Sequence, residues 1–215
     1  MSSVKGNPLL SIFFGSQTGN AEELAGRTKK MSEKLGFKAE VIDMDGYDPS
    51  GFSSLKRVLI ITSTWGEGDM PDNAEDLWIA TGEQNPPLSE VSFSVCAIGD
   101  TSYDEFCKAG KDWDAKFSSL GAKRIHDIQL CDVDHEPEWE KWANSVLPLM
   151  AEVDGGAYEE TAQETSAVTT DAIMPISGSA SEGLSSVLGG DRSLTILFGS
   201  QTGNAAGLAE KTAKL

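Results

Sequence analysis

Seven residues, FGSQTGN, run from Phe14 to Asn20 between a short apolar segment and a longer amphipathic one. The loop holds glycines, amides and the hydroxyls of Ser16 and Thr18, with no lysine or arginine. That composition suits a phosphate group. Free N–H groups at a helix start, the positive end of the helix dipole and neutral hydroxyls can converge on one anion. Each hydrogen bond to a charged oxygen contributes about 1.5–3 kcal/mol, so a handful could hold a terminal dianion without a cationic side chain. Helix capping by Ser or Thr with a turn at Gly19 uses the same residue types, and the loop alone does not separate the two readings. The spacing is neither GxxxxGK[ST] nor GxGxxG.

Two further loops carry residues that suit a flat ring. STWGEGDMPDN, residues 63–73, sets Trp65 between the end of an apolar run and two glycines. A tryptophan normally belongs to the packed face of an element, so one beside Gly66 and Gly68 suits a ring that must be stacked upon, with a loop aromatic folded back on the core as the alternative. IGDTSYDEFC, residues 98–107, supplies Tyr103 as a second stacking face. Together the loops specify a planar aromatic ligand with a phosphate tail.

The elements that must position these loops follow from the pattern of apolar residues. Up to Val153, short apolar runs (9–14, 38–44, 58–64, 91–99, 124–130) alternate with amphipathic stretches (21–35, from Asp72, 106–120, 136–151). This predicts an α/β fold, with a parallel sheet covered by helices on both faces, over residues 1–153. Leu24, Ala25, Thr28, Met31 and Leu35 mark the buried face of the first helix, and Gly36 its stop. Trp139, Trp142 and Leu147 are expected to anchor the last helix to the sheet.

Residues 154–192 change character. Ser, Thr, Ala and Gly dominate, and no Lys or Arg occurs from Asp154 to Asp191. Such a stretch buries too little apolar surface to offset its ordering entropy, so a flexible linker is expected. FGSQTGN then recurs at Phe198–Asn204; aligning Leu10–Met31 with Leu194–Leu215 gives 14 identities in 22 positions, where chance gives about one or two. Residues 193–215 therefore read as the truncated start of a second unit of the same kind, and the chain as a piece of a longer tandem protein.

The net charge is −17, from 17 basic and 34 acidic side chains. This argues against nucleic acid and anionic membranes and for a basic partner. Three cysteines without metal or redox spacing imply free thiols in a reducing cytoplasm. The apolar run after Pro8 is too short for a signal peptide or a membrane span.

FGSQTGNAEELA, STWGEGDMPDNA and IGDTSYDEFCKAGKDWDAKF resemble, in order and spacing, the flavin mononucleotide (FMN) domains of the diflavin reductases. Nearest among these are the flavoprotein subunit of NADPH-dependent sulfite reductase and, more distantly, the NADPH-cytochrome reductases. The resemblance covers about residues 9–150. It implies a flavodoxin-like, doubly wound five-stranded sheet of order 2-1-3-4-5, with the ligand in the crevice where the strand order reverses. By the same resemblance Ser16, Gln17, Thr18, Gly19, Asn20 and Ala21 would hold the FMN phosphate. Ser63, Thr64, Trp65 and Gly66 would contact the isoalloxazine, with Trp65 on one face. Ile98, Gly99, Asp100, Tyr103, Phe106 and Cys107 would form the other wall, with Tyr103 against the ring.

An acidic position that touches the flavin site in cytochrome reductases aligns with Val133. The implied function is electron transfer from an FAD/NADPH reductase module to a basic acceptor protein. A stand-alone NAD(P)H:quinone reductase and a nonredox binding module on the same fold remain open. His126 and His135 lack partners at metal-ligand or general-base spacing and are expected to be structural or surface residues. Cys107 is not expected to be a tuned nucleophile.

Overall fold

Strands covered on both faces need apolar side chains at successive positions, and three runs in this chain provide them. The computed structural model describes residues 4–156. Its strands are β1 (Leu9–Gly15), β2 (Lys38–Asp43), β3 (Arg57–Ser63), β4 (Ser92–Ile98), β5 (Lys123–Arg124) and β6 (Gln129–Cys131). The helices are α1 (Asn20–Glu33), α2 (Asp72–Gln84), α3 (Lys108–Ser119) and α4 (Glu136–Glu152). All strand pairs are parallel, and the order is β2-β1-β3-β4-β5, with β6 also paired to β4. The expected 2-1-3-4-5 order is borne out.

Alternation along the central strands divides the core into two layers. Leu10, Ile12 and Phe14 of β1, with Leu59, Ile61, Cys96 and Ile98, face α1 and α4. Phe13, Val58, Ile60, Phe93 and Val95 face α2 and α3. Trp139, Trp142 and Leu147 are buried as expected, and both indoles are satisfied: Trp139 Nε1 donates to Thr28 Oγ1 at 3.0 Å and Trp142 Nε1 to Ser94 Oγ at 2.9 Å. α1 ends where its glycine predicts. Gly36 has φ 96°, its N–H donates to the Glu33 carbonyl, and the Phe37 N–H donates to that of Ser32. This is the paired closure that a left-handed C-terminal residue allows.

The edge strand differs from expectation. Residues 124–130 do not form one strand, because three steps along β4, from Phe93 to Cys96, face five from Arg124 to Gln129. Two residues therefore bulge out, and His126 turns back so that Nδ1 lies 2.7 Å from the Asp127 carbonyl. α3 also starts two residues later than its apolar pattern suggests, since Cys107 is left-handed (φ 56°, ψ 27°) and cannot belong to a helix.

Arg57 is buried with no carboxylate bonded to it among the described residues. It donates to the carbonyls of Lys5, Asn7 and Leu9 on one side and of Met150 and Val153 on the other. Burial pushes its pKa below the ordinary value, opposed by the charge of Asp154. The carbonyls at the end of α4 carry the negative pole of that helix and partly balance the guanidinium. Asp154–Gly156 stay attached to the same edge through Gly155 N–H to the Lys5 carbonyl and Asn7 N–H to that of Gly156. The rest of the expected linker, residues 157–192, and the second copy at 193–215 lie outside the described residues. Among the described residues no helix is long and apolar enough to cross a membrane.

Candidate functional site

The first loop leaves β1 at Gly15 and enters α1 through Gly19, whose φ of 91° a side chain would resist. Ser16 Oγ accepts from the N–H groups of Gly19 (3.0 Å) and Ala21 (3.2 Å), so this hydroxyl caps the helix. The Gln17 amide clamps Asp72, accepting from its N–H at 3.0 Å and donating to its carboxylate at 2.9 Å. Asn73 completes the tie: its carbonyl oxygen accepts from Ser16 N–H, and its amide nitrogen donates to Asp43. Loop one is thus rigidly joined to the start of α2. The side chains of Thr18 and Asn20 are exposed and make no hydrogen bond among the described residues.

The second loop folds into a tight hairpin. Trp65 and Asp69 exchange both backbone hydrogen bonds, at 3.0 and 2.7 Å, with Gly66 (φ 50°) and Gly68 (φ 111°) between them. At Gly68 a Cβ would lie 2.9 Å from Glu105 Cβ and 2.8 Å from Lys108 Cδ, so the hairpin can rest on the third loop only as glycine. Thr64 joins the same two loops by accepting the Ala109 N–H at Oγ1 and donating its own N–H to Ile98.

The third loop is held by carboxylates at its turn. Asp100 accepts from the Ser102 N–H and hydroxyl. Asp132, after β6, accepts from the Thr101 hydroxyl at 2.6 Å and its N–H at 3.0 Å. Those bonds and one from the Val133 N–H hold the Asp132 carboxyl below the usual carboxylate range.

The three loops enclose a cleft of about 560 Å³ at the carboxyl ends of β1, β3 and β4, within the range of small-molecule and cofactor sites. Trp65 and Tyr103 line it, 50% and 55% exposed. Of the residues expected at the site, Gln17, Thr18, Asn20, Ser63, Thr64, Gly66, Ile98, Gly99, Asp100, Phe106 and Cys107 line it too. Ser16, Gly19 and Ala21 do not reach the wall and shape the loop behind it.

Four lining residues lay outside the expected set: Glu67, Glu105, Val133 and His135. The first two flank expected residues. Val133 and His135 arrive on the turn after β6; the resemblance aligns Val133 with a position that touches the flavin site, while no local sequence signal marks His135. His135 Nδ1 lies 3.1 Å from the Val133 carbonyl, which leaves Nε2 for the cleft.

Cys107 borders the cleft, but its thiol points inward to the Ala97 carbonyl at 3.3 Å. Burial pushes this thiol up to about 12, and burial also raises Cys96 well above its ordinary value. All three cysteines are buried. A disulfide reagent at neutral pH should therefore label none of them within minutes and all three after denaturation. Rapid labelling of Cys107 in the native protein would show that the third loop opens.

The site fits FMN on its own chemistry. Among the described residues, Thr18 and Asn20 offer donors at the positive end of α1, the N–H groups of Gln17 and Thr18 have no protein acceptor, and no lysine or arginine lines the cleft. Two exposed aromatic faces stand beside this cradle.

The flavodoxin family model matches residues 12–143. The chain is 38% identical over 149 residues to the sulfite reductase [NADPH] flavoprotein alpha-component of Bacillus subtilis, covering 69% of this chain and 25% of that protein. With the Thiocapsa roseopersicina protein of the same name it shares 37% over 139 residues, 64% of this chain and 27% of that one. The chain thus spans about a quarter of the length of these relatives. Among solved structures, a mutant flavodoxin from Pseudomonas aeruginosa superposes with a TM-score of 0.60 at 26% identity, over 66% of this chain and 98% of that one. A flavodoxin from Streptococcus pneumoniae gives 0.56 at 32% identity, over 67% and 96%. With its strand order, its three converging loops and a match over more than half its length, the chain belongs to the flavodoxin family, whose cofactor is FMN.

Proposed function

We propose that residues 1–153 form an FMN-holding electron-transfer domain of a longer diflavin-type reductase. The observation that carries this reading is the pairing, in one cleft, of a phosphate cradle free of cations among the described residues with the exposed rings of Trp65 and Tyr103. Electron exchange is the chemistry FMN supplies when bound. The protein's part is to bind, orient and tune. Thr18, Asn20 and the loop amides hold the phosphate, Trp65 and Tyr103 cover the ring, and Ser63, Thr64, Gly66 and the 98–107 loop fix its edge. Glu67, Asp100 and Glu105 surround the ring with negative charge and so disfavour adding more, which makes the reduced state a better donor.

Electrons would come from an FAD/NADPH reductase module, most simply in the same longer chain, and pass to a basic acceptor protein in the cytoplasm. Residues 154–192 are read as the linker and residues 193–215 as the opening of a second unit of the same kind.

Titration of the purified chain with FMN tests this reading. Flavin fluorescence should be quenched on binding, and Trp65→Ala should weaken FMN about tenfold by removing one stacking face. NADPH added anaerobically should not bleach the bound flavin, because the reductase module is a separate unit. Bleaching by NADPH alone would favour the quinone reductase alternative. A chain that takes up no FMN would leave the nonredox binding module.

A further inference from the structure

A cradle made of amides and hydroxyls holds an anion well only if those groups already point at it before the anion arrives. The first loop begins at Gly15 and ends at Gly19, so its own backbone does little to fix them. Its N–H groups divide. Those of Gly19 and Ala21 go to Ser16 Oγ, that of Ser16 goes to Asn73 Oδ1 at 2.8 Å, and those of Gln17 and Thr18 have no protein acceptor among the described residues. The Ser16 N–H is thus drawn to Asn73, and the next two are left for an anion.

Asn73 is the second residue of α2, half-buried behind the loop, and it does not line the cleft. Its amide serves two opposite neighbours. One side must accept, because Ser16 offers an N–H; the other must donate, because it meets the Asp43 carboxylate at 2.8 Å and the Phe14 carbonyl at 3.4 Å. Asp43 is held in turn by the Asp45 N–H at 3.0 Å. Of the side chains of this length, only a carboxamide meets both demands. A carboxylate would set two acceptors against each other at Asp43, and an aliphatic side chain would leave both neighbours unpaired.

We propose that Asn73 is a positioning residue for the flavin phosphate: through the Ser16 N–H, and braced by Asp43, it fixes the loop in its anion-binding form and so selects phosphorylated over unphosphorylated flavin. This rests on the FMN reading above. Gln17 ties the loop to the same helix through Asp72, but with a side chain that itself lines the cleft and with solvent-exposed bonds. The Asn73 bond acts on the backbone and is the more shielded.

Four variants of the 215-residue chain are compared with wild type by fluorescence titration with FMN and with riboflavin. Asn73→Leu loses both hydrogen bonds, so FMN should weaken about tenfold while riboflavin stays within about twofold. Asn73→Asp should weaken FMN about thirtyfold, because repulsion at Asp43 is added to the lost donor. Asp43→Asn alone should weaken it about twofold, since the new amide oxygen still accepts from Asn73. Asp43→Asn combined with Asn73→Asp exchanges donor and acceptor and should bind FMN within about fivefold of wild type, a recovery that two independent sites would not show.

Amide exchange of Ser16, read by NMR without flavin, reports the hold itself. It should quicken about tenfold in Asn73→Leu and Asn73→Asp and slow again in the exchanged pair. The assignment is overturned if FMN and riboflavin weaken together in Asn73→Asp, if the exchanged pair binds FMN no better than Asn73→Asp, or if Ser16 exchanges alike throughout. Because exchange needs no ligand, a wild-type chain that takes up no FMN would sink the cofactor reading, while the Ser16 amide would still decide whether Asn73 holds the loop.

Discussion

Thr18→Asp should cost FMN about a thousandfold or more in affinity and leave riboflavin, which lacks the phosphate, within a few-fold of wild type. Among the described residues the cradle has no cationic side chain to absorb a new negative charge. Two unit charges about 4 Å apart repel by roughly 4 kcal/mol at an effective dielectric of 20, which is about three decades in a dissociation constant. Exposure to solvent lowers that figure, and the second charge of the phosphate raises it. The change should not cost folding, because the Thr18 side chain is exposed and makes no hydrogen bond among the described residues. Thr18→Val separates charge from hydrogen bonding. It removes one bond to a charged oxygen, about 1.5–3 kcal/mol, so affinity should fall roughly ten- to a hundredfold. Fluorescence titrations with both flavins, alongside circular dichroism, give the answer. Parallel loss of FMN and riboflavin in Thr18→Asp would place the phosphate elsewhere.

The parts of this site that could be read from sequence are those that local physics determines. Unbroken apolar runs at 9–14, 58–64 and 91–99 announced strands covered on both faces, and β1, β3 and β4 are those strands. Glycines needed for backbone conformation were equally visible: Gly36 closes α1, and Gly66 and Gly68 turn the Trp65 hairpin.

What escaped depends on contacts between distant segments. The two-residue bulge of the edge strand has no signature, because a register is set by the neighbour and not by the strand itself. Cys107 takes a left-handed conformation that favours glycine, so the apolar pattern ran α3 back to Phe106. Arg57, beside Lys56 at the head of an apolar run, resembles a surface cation. Only the meeting of the amino-terminal segment with the end of α4 supplies the carbonyls that let it be buried. His135 is similar. Its own neighbourhood is acidic and exposed, and it reaches the cleft because α4 starts beside α1, where Glu136 bonds Arg27 at 2.7 Å.

Gly110→Val should cost the fold about 3 kcal/mol or more, lowering the melting temperature by roughly 6–12 °C. A Cβ built on Gly110 lies 2.2 Å from Ala97 Cβ and 3.1 Å from Ala97 Cα, on the strand beneath α3. Carbon atoms pack at about 3.5–4 Å, so the helix would have to lift by more than an ångström. Helix propensity acts the other way, since valine is favoured over glycine by a few tenths of a kcal/mol, and this is too little to offset the overlap.

α3 also cannot retreat cheaply, because Trp113 and Phe117, one and two turns further on, are fully buried. Lifting its first turn would break the Ala109 N–H bond to Thr64 Oγ1 and pull the third loop from the second. FMN affinity should therefore fall together with stability, although Gly110 does not line the cleft. Gly110→Ala should show a smaller loss of both. Ala97→Gly, which removes the opposing methyl group, should restore part of the loss in the double variant, a coupling that two independent sites would not show. If Gly110→Val melts like the wild type, the close approach of α3 to β4 is wrong, and with it the account of how the second and third loops are brought together.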